Sequence, residues 1–458
     1  MDCPSQPPQF SIGDEDVPAL SQVAVPGGQI PAANLPGWID RFQPEDVFLA
    51  DLLPTVLGHL GGQKGVEVDT WCPHYLVAGD SHGQQARASG PASGRLGAGG
   101  PASGWLGAGG PASWPARREY TAERLQLTDT RRAVVVMIDG FGAQAVADYA
   151  AYLPFLRQRR SDLVAAKTIV PSTTAAAITA FTTSALPGAT RMVGWSIAQG
   201  DSAVDLLSFA GAQLPGRERQ RVDTLFERAT AVGIETVAVN ATRFVASGLT
   251  QAALRGAQYL SADSLQARVD AAVQASRAGA DLVYLYWHGL DHAGHGEGVG
   301  SQAWLEALEE VDQALSQLAA RVGAGTAVIV TADHGMVNSE PSRRLDIAQI
   351  PQLREGVRIL AGEGRAPHIH PQDGQAQAIV ERWREYLGER AFIVPAAQLP
   401  AYFGPGPGNG DVGAAVAFMA QDWTVGDSRT QRATTLALPG VHGSLTNTER
   451  AIVTGRIA

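Results

Sequence analysis

The chain has 458 residues, 45% of them hydrophobic, a formal net charge of -10 and only two cysteines, Cys3 and Cys72. That leaves room for one large globular domain or two ordinary ones. It argues against a nucleic-acid groove, which needs clustered Lys and Arg, against a disulfide framework or Cys-based zinc site, and against a membrane span, since no run reaches roughly 18 apolar residues.

The first residues, MDCPSQPPQFSIGDEDV, lack the basic start and apolar core of a signal peptide, so a cytoplasmic protein is expected. Residues 1–125 read as an N-terminal extension. It is Pro-rich to about residue 45; then Leu49, Leu52, Leu53, Val56, Leu57 and Leu60 recur at helical spacing and predict a helix packed on the main domain. Over about 86–118 the string PASGRLGAGG is followed by PASGWLGAGG and PASWP. Gly, Ala, Ser and Pro bury too little apolar surface to offset ordering entropy, so a disordered insertion without catalytic residues is expected.

Residues 126–339 alternate strand and helix, as a βαβ sheet should. Residues 133–138 (AVVVMI), 282–287 (LVYLYW) and 327–331 (AVIVT) are short and apolar on both faces, which suits parallel strands covered by helices on both sides. Trp304, Leu308, Val311, Leu315 and Leu318 predict an amphipathic helix between two of them. Each strand ends in acid or histidine: Asp139-Gly140, then GLDHAGH over 289–295, then Asp333-His334-Gly335-Met336. Open α/β sheets collect function at the carboxyl ends of their strands. Asp139, Asp291, His295, Asp333, His334 and a later His442 are therefore candidate metal ligands expected to converge, the pattern of a two-metal hydrolase. A lone strand-end Asp could merely cap a helix, and a lone Asp-His-Gly could be a turn; several together require independent coincidences.

The segment 170–181 (VPSTTAAAITAF) places Ser172, Thr173 and Thr174 at a helix start. N-capping is the plain explanation; a metal-bound hydroxyl, which becomes a strong nucleophile near neutral pH, is the catalytic one. Three Asp would repel an anionic substrate, whereas two divalent cations against three Asp and one alkoxide bring the site near neutrality. Imidazole with carboxylate suits zinc, with manganese or iron as alternatives.

Residues 340–438 change texture. A strand over 357–360, a helix over 375–387 and a strand over 412–419 predict a small inserted α+β cap that shapes the pocket without supplying metal ligands, and 439–458 returns to the core with His442.

Asp139-Gly140, the PSTT segment, Asp291-x-x-x-His295, Asp333-His334-Gly335-Met336 and His442-Gly443 together resemble the alkaline phosphatase superfamily, nearest its nucleotide pyrophosphatase/phosphodiesterase branch, over about 132–458. The resemblance implies that Asp291, His295 and His442 hold one zinc, and that Asp139, Asp333, His334 and the nucleophilic Thr hold the other. It implies Thr174 as nucleophile, with Thr173 the neighbouring alternative, and a phospho- or nucleotidyl-threonine intermediate. His288 and His292 match no ligand position and are expected behind the ligands or at the surface. The chain departs from the family pattern at Thr190 and Arg191, where a His-Gly pair is usual, and at Trp195, where the diesterase branch has an Asn on a phosphate oxygen. Arg191 or Arg243 are candidate replacement phosphate contacts, and Trp195 could stack on a base or fill the core.

The expected activity is hydrolysis of a small phosphodiester or nucleotide pyrophosphate. A phosphomonoesterase on the same scaffold, and a non-catalytic ligand-binding protein, are the competing readings. A sulfatase is disfavoured because PSTT lacks the C/S-x-P-x-R string of its nucleophile.

Overall fold

The computed structural model describes residues 35–40, 46–67, 71, 73 and 114–458. The Gly/Ala/Pro repeat therefore lies outside the described residues, apart from its last few positions at the start of the helix Trp114–Arg124.

An eight-stranded sheet forms the centre, in the order Val47–Phe48, Leu163–Lys167, Ala451–Arg456, Thr326–Thr331, Arg132–Ile138, Leu282–Trp287, Thr236–Asn240, Gln258–Ser261. Its pairings are parallel except those of Ala451–Arg456, which runs antiparallel to both neighbours. The mostly parallel α/β sheet expected from the three apolar runs is what forms. Their residues are buried on both faces because helices cover both. Phe181 and Phe226, from the helices Thr174–Thr183 and Leu225–Ala231, set their rings 5.7 and 6.1 Å from that of Tyr284 on one face. Leu265, Val269, Val311 and Leu315, from Leu265–Ala278 and Gln302–Arg321, meet Val136, Ile138 and Leu285 on the other. The helix Leu49–Gly62 buries its Leu and Val residues in the same core.

Register positions the site. Ile138 pairs with Trp287 and Met137 with Thr331, so the three central strands end level. The segments that leave their carboxyl ends, and the acids and histidines on them, emerge together at one edge of the sheet.

Within 340–438 a four-stranded antiparallel sheet, in the order Val357–Glu363, Ala366–Pro371, Ala415–Met419, Ala391–Pro395, packs the helix Ala376–Leu387 through Ile379, Trp383 and Leu387. The strand expected from residue 412 begins at Ala415, after Gly413 turns the chain at φ +74°. Among the described residues no helix is long and apolar enough to cross a membrane.

Candidate active site

Asp139 and Asp333 leave adjacent strands and are buried, 2% and 0% exposed. Asp333 Oδ1 accepts the backbone N–H groups of Gly140 (3.2 Å) and His334 (3.0 Å), which fixes the carboxylate and turns Oδ2 away from them. Asp139 Oδ2 accepts the Tyr286 hydroxyl, leaving Oδ1. Glycine is needed where the two loops cross. A Cβ on Gly142 would lie 2.7 Å from the Gly335 Cα, so no side chain fits between the segments carrying Asp139 and His334.

Asp291 and His295 lie four residues apart on the helix Gly289–Glu297 and so share a face. Their closest atoms, Asp291 Oδ1 and His295 Nε2, are 3.4 Å apart; His442 Nε2 approaches the same oxygen at 3.7 Å. His334 Nε2 lies 3.3 Å from Asp139 Oδ1 and 3.6 Å from Asp333 Oδ2. The His334 and His442 rings stack at 3.6 Å, joining the two halves of the cluster.

All three imidazoles are oriented by main-chain carbonyls: His295 Nδ1 by Gly440 (2.8 Å), His442 Nδ1 by Ser172 (2.9 Å) and His334 Nδ1 by Gly335 (3.3 Å). A carbonyl only accepts, so each Nδ1 carries the hydrogen and each Nε2 of a neutral ring presents a lone pair. Burial pushes His442 down to about 4 and His334 well below its usual value, so both are neutral at pH 7. Burial also raises Asp139 well above the usual carboxylate range, with the Asp333 and Asp291 charges adding to it. Burial, then the Asp291 charge, pushes Asp333 up to about 7.

Asp139 Oδ1, Asp291 Oδ1 and Asp333 Oδ2 have no hydrogen-bond partner although buried. These are the oxygens nearest the bare imidazole nitrogens, so lone pairs face lone pairs. Divalent cations resolve that conflict, and the donors fit them: two groups, Asp291-His334-His442 and Asp139-Asp333-His334, each keep their ligand atoms within 4.8 Å of one another. His334 belongs to both groups, whereas the resemblance assigns it to one. His295 stands beside Asp291, outside the two groups.

Thr174 opens the helix Thr174–Thr183, and its hydroxyl lies 3.1 Å from His334 Nε2. Thr173 occupies the N-cap position, yet its side chain makes no capping hydrogen bond. Ser172 faces elsewhere, donating to the Ser444 carbonyl at 2.8 Å.

The cluster opens into a cavity of about 720 Å³, lined from the core by Thr174, Arg243 and Phe244 and from the chain beyond residue 340 by Arg344, Glu363 and Leu436. Trp195 lines it and is half-buried. Arg243 lines it and donates to His288 Nε2 at 2.6 Å; burial and that guanidinium hold His288 down to about 4. Arg191 is held by Asp411 through two hydrogen bonds, at 2.9 and 2.7 Å, and does not line the cavity. Thr190 is buried, and His292 is exposed at the cavity rim. Sequence reasoning missed Tyr286 and Glu363. Tyr286 was absorbed into an apolar strand, whereas Glu363 ends the strand VRILAGE as Asp139 follows AVVVMI, the same strand-end signal in a segment expected to carry no chemistry.

Taken with a family match over residues 133–445, the ligand groups make this a metal-dependent phosphoester hydrolase. The chain belongs to the type I phosphodiesterase/nucleotide pyrophosphatase family, whose model matches residues 133–445. It is similar in fold to murine ectonucleotide pyrophosphatase/phosphodiesterase 5, with a TM-score of 0.57, 17% identity, and 70% of this chain and 87% of that chain covered. An inactive threonine-to-alanine variant of that murine protein, in complex with AMP, matches at a TM-score of 0.56 and 16% identity, over 70% and 87% of the two chains. Phosphonoacetate hydrolase from Sinorhizobium meliloti 1021, in complex with phosphonoformate, matches at a TM-score of 0.56 and 19% identity, over 71% and 89%. No curated protein matches the sequence. At these identities the solved structures establish a shared fold.

Proposed function

We propose that the chain hydrolyses phosphodiesters or nucleotide pyrophosphates with two zinc ions and a Thr174 nucleophile. One observation carries the reading: partnerless carboxylate oxygens and bare imidazole nitrogens converge beside the Thr174 hydroxyl, 3.1 Å from His334 Nε2. Following the resemblance, Asp291, His295 and His442 would hold one ion, and Asp139, Asp333, His334 and Thr174 the other. Mixed carboxylate and imidazole donors favour zinc over magnesium or calcium.

The ions would lower the pKa of the hydroxyl and of water, clamp a non-bridging oxygen and offset charge on the leaving oxygen. The remaining work falls to the chain. The helix beginning at Thr174 favours negative charge on Oγ1 and on the phosphoryl group. Tyr286 and the Gly140 and His334 amides hold two carboxylates in one orientation, and the Gly440 and Ser172 carbonyls do the same for His295 and His442. Thr174 passes its proton to water and Oγ1 attacks phosphorus in line; the bond to the leaving oxygen breaks and that oxygen takes a proton back from water. A second in-line attack, by water, cleaves the Oγ1–P bond, releases the product and restores the hydroxyl. Residues 340–438 act as a cap that lines one side of the cavity.

The cavity of about 720 Å³ has room for a second ester substituent, which favours a diester over a monoester. The murine relative's complex with AMP, seen in an inactive threonine-to-alanine variant, supports a nucleotide and a threonine nucleophile. No proposed ligand or nucleophile is missing, which disfavours a purely binding role.

The test is a parallel assay of zinc-loaded protein on bis-p-nitrophenyl phosphate, p-nitrophenyl phosphate and thymidine 5'-monophosphate p-nitrophenyl ester. Turnover of the two diesters above the monoester is expected. Inactivity on all three under zinc, manganese and iron would sink the reading.

A further inference from the structure

Among the described residues two arginines and no lysine line the cavity. Arg344 spends its terminal nitrogens on the carbonyls of Ala437 (2.8 Å) and Ser339 (2.5 Å), beside the two ends of residues 340–438. Arg243 is held differently. It follows the strand Thr236–Asn240 on the core side of the cavity, and Nη2 donates to His288 Nε2 at 2.6 Å. Its guanidinium carbon lies 4.7 Å from the centre of the Phe244 ring, and that ring meets His288 edge-on at 5.4 Å. The guanidinium is thus oriented while the residue stays exposed. Its other N–H groups have no acceptor among the described residues.

No carboxylate among the described residues forms an ion pair with Arg243. Asp263 nearby gives its oxygens to the Thr242 amide (2.8 Å) and hydroxyl (3.1 Å). A carboxylate partner would cancel most of the positive charge, whereas a bare imidazole nitrogen fixes the geometry and leaves the charge whole. Held this way at a cavity wall, the guanidinium is set for an anion, and its planar fork matches two oxygens of a phosphoryl group. Its place relative to the reacting centre follows from two rings. Tyr286 donates to Asp139, the Tyr286 and His288 rings stack with centres 6.3 Å apart, and Arg243 is bonded to His288. Those rings separate Arg243 from the ligand cluster and place it beyond the phosphoryl group held beside Thr174, level with a group joined to that phosphorus.

Resting on the phosphodiesterase reading, we propose that Arg243 is a specificity-determining residue that ion-pairs with a second phosphoryl group on the substrate, one joined to the phosphorus that Thr174 attacks. The preferred substrate then carries a phosphoanhydride rather than an ester to a neutral group.

The experiment compares wild type, Arg243→Ala and Arg243→Lys, all zinc-loaded, on thymidine 5'-triphosphate and on thymidine 5'-monophosphate p-nitrophenyl ester. The nucleoside is the same, and only the triphosphate has phosphoryl groups beyond the attacked phosphorus. The ratio of kcat/KM for the triphosphate to that for the ester is expected to fall on the order of 10- to 100-fold in Arg243→Ala, mostly through KM. Arg243→Lys keeps the charge without the fork and should lose less. In metal-loaded Thr174→Ala protein, calorimetry should show thymidine 5'-diphosphate binding tighter than the monophosphate, and adding Arg243→Ala should shrink that difference while circular dichroism stays that of the folded protein. An unchanged ratio in Arg243→Ala, or mono- and diphosphate weakened alike, would overturn the proposal. If the wild type turns over neither substrate, the phosphodiesterase reading fails, while the calorimetric comparison still decides the role of Arg243.

Discussion

His334 Nε2 faces Asp139 Oδ1 at 3.3 Å, in the core of the protein, with a lone pair on each. The Thr174 hydroxyl stands 3.1 Å from the same nitrogen, and the same opposition of acceptors recurs between Asp291 and His442 at 3.7 Å. The site is built under electrostatic tension that cations remove.

That tension sets a pH dependence for metal-free protein. Asp139 and Asp333, and Glu363 at about 8, have folded-state pKa values raised above their unfolded ones, so the stability tied to their protonation is lost as pH rises through the folded values. The buried histidines have lowered values and lose their effect above the ordinary histidine pKa, about 6.5. Between about pH 6.5 and 8 the site's pH dependence comes from its carboxyl groups, each costing up to about 1.4 kcal/mol per pH unit until its folded value is passed. The melting temperature in chelator should fall across that window, and zinc should abolish the fall. A flat profile in chelator would count against the crowded carboxylates.

Thr174→Ala should lower kcat/KM for a diester on the order of 1,000-fold or more while leaving the protein folded. Thr173→Ala should cost far less, because the Thr173 side chain caps nothing and it is the Thr174 hydroxyl that stands 3.1 Å from His334 Nε2. Steady-state kinetics with circular dichroism checks both, and the reverse ranking would move the nucleophile to Thr173.

Arg365 and Glu449 form a fully buried pair at 2.7 Å, and Glu449 also accepts the Ser444 amide and the Thr446 hydroxyl beside the His442 loop. Removing Arg365 leaves a buried charge unpaired. Arg365→Ala should destabilise the protein by roughly 3–5 kcal/mol in urea unfolding. It should also weaken zinc binding in a competition titration, because Ser444 and Ser172 tie this network to His442. Unchanged zinc affinity would separate the pair from the site.

Trp195 lines the cavity with a half-buried indole. If the indole stacks on the base, Trp195→Ala should weaken AMP binding to the metal-loaded Thr174→Ala protein on the order of tenfold. An unchanged calorimetric affinity would leave Trp195 as packing alone.

The strands Arg132–Ile138, Leu282–Trp287 and Thr326–Thr331 were legible because apolar runs ending in Asp or His report burial and site together. His442 was a candidate ligand with a weaker local signal, since it does not follow an apolar strand as the others do, and its assignment to one ion came through the resemblance. The antiparallel placement of Ala451–Arg456 between Leu163–Lys167 and Thr326–Thr331 was not legible, because pairing across such sequence distances leaves no local pattern. Arg191 was a candidate phosphate contact by sequence, and only the fold brings Asp411 to it. Tyr286 and Glu363 were hidden for opposite reasons, one inside an apolar strand and one in a segment with no other ligand.

The central claim, a covalent intermediate on Thr174, is tested most directly by acid-quenching zinc-loaded enzyme during turnover of thymidine 5'-monophosphate p-nitrophenyl ester and mapping peptides by mass spectrometry. The account predicts a thymidylyl adduct on the peptide carrying Thr174, located at that residue and absent from Thr174→Ala. An adduct on another residue, or undiminished turnover by Thr174→Ala, would contradict it.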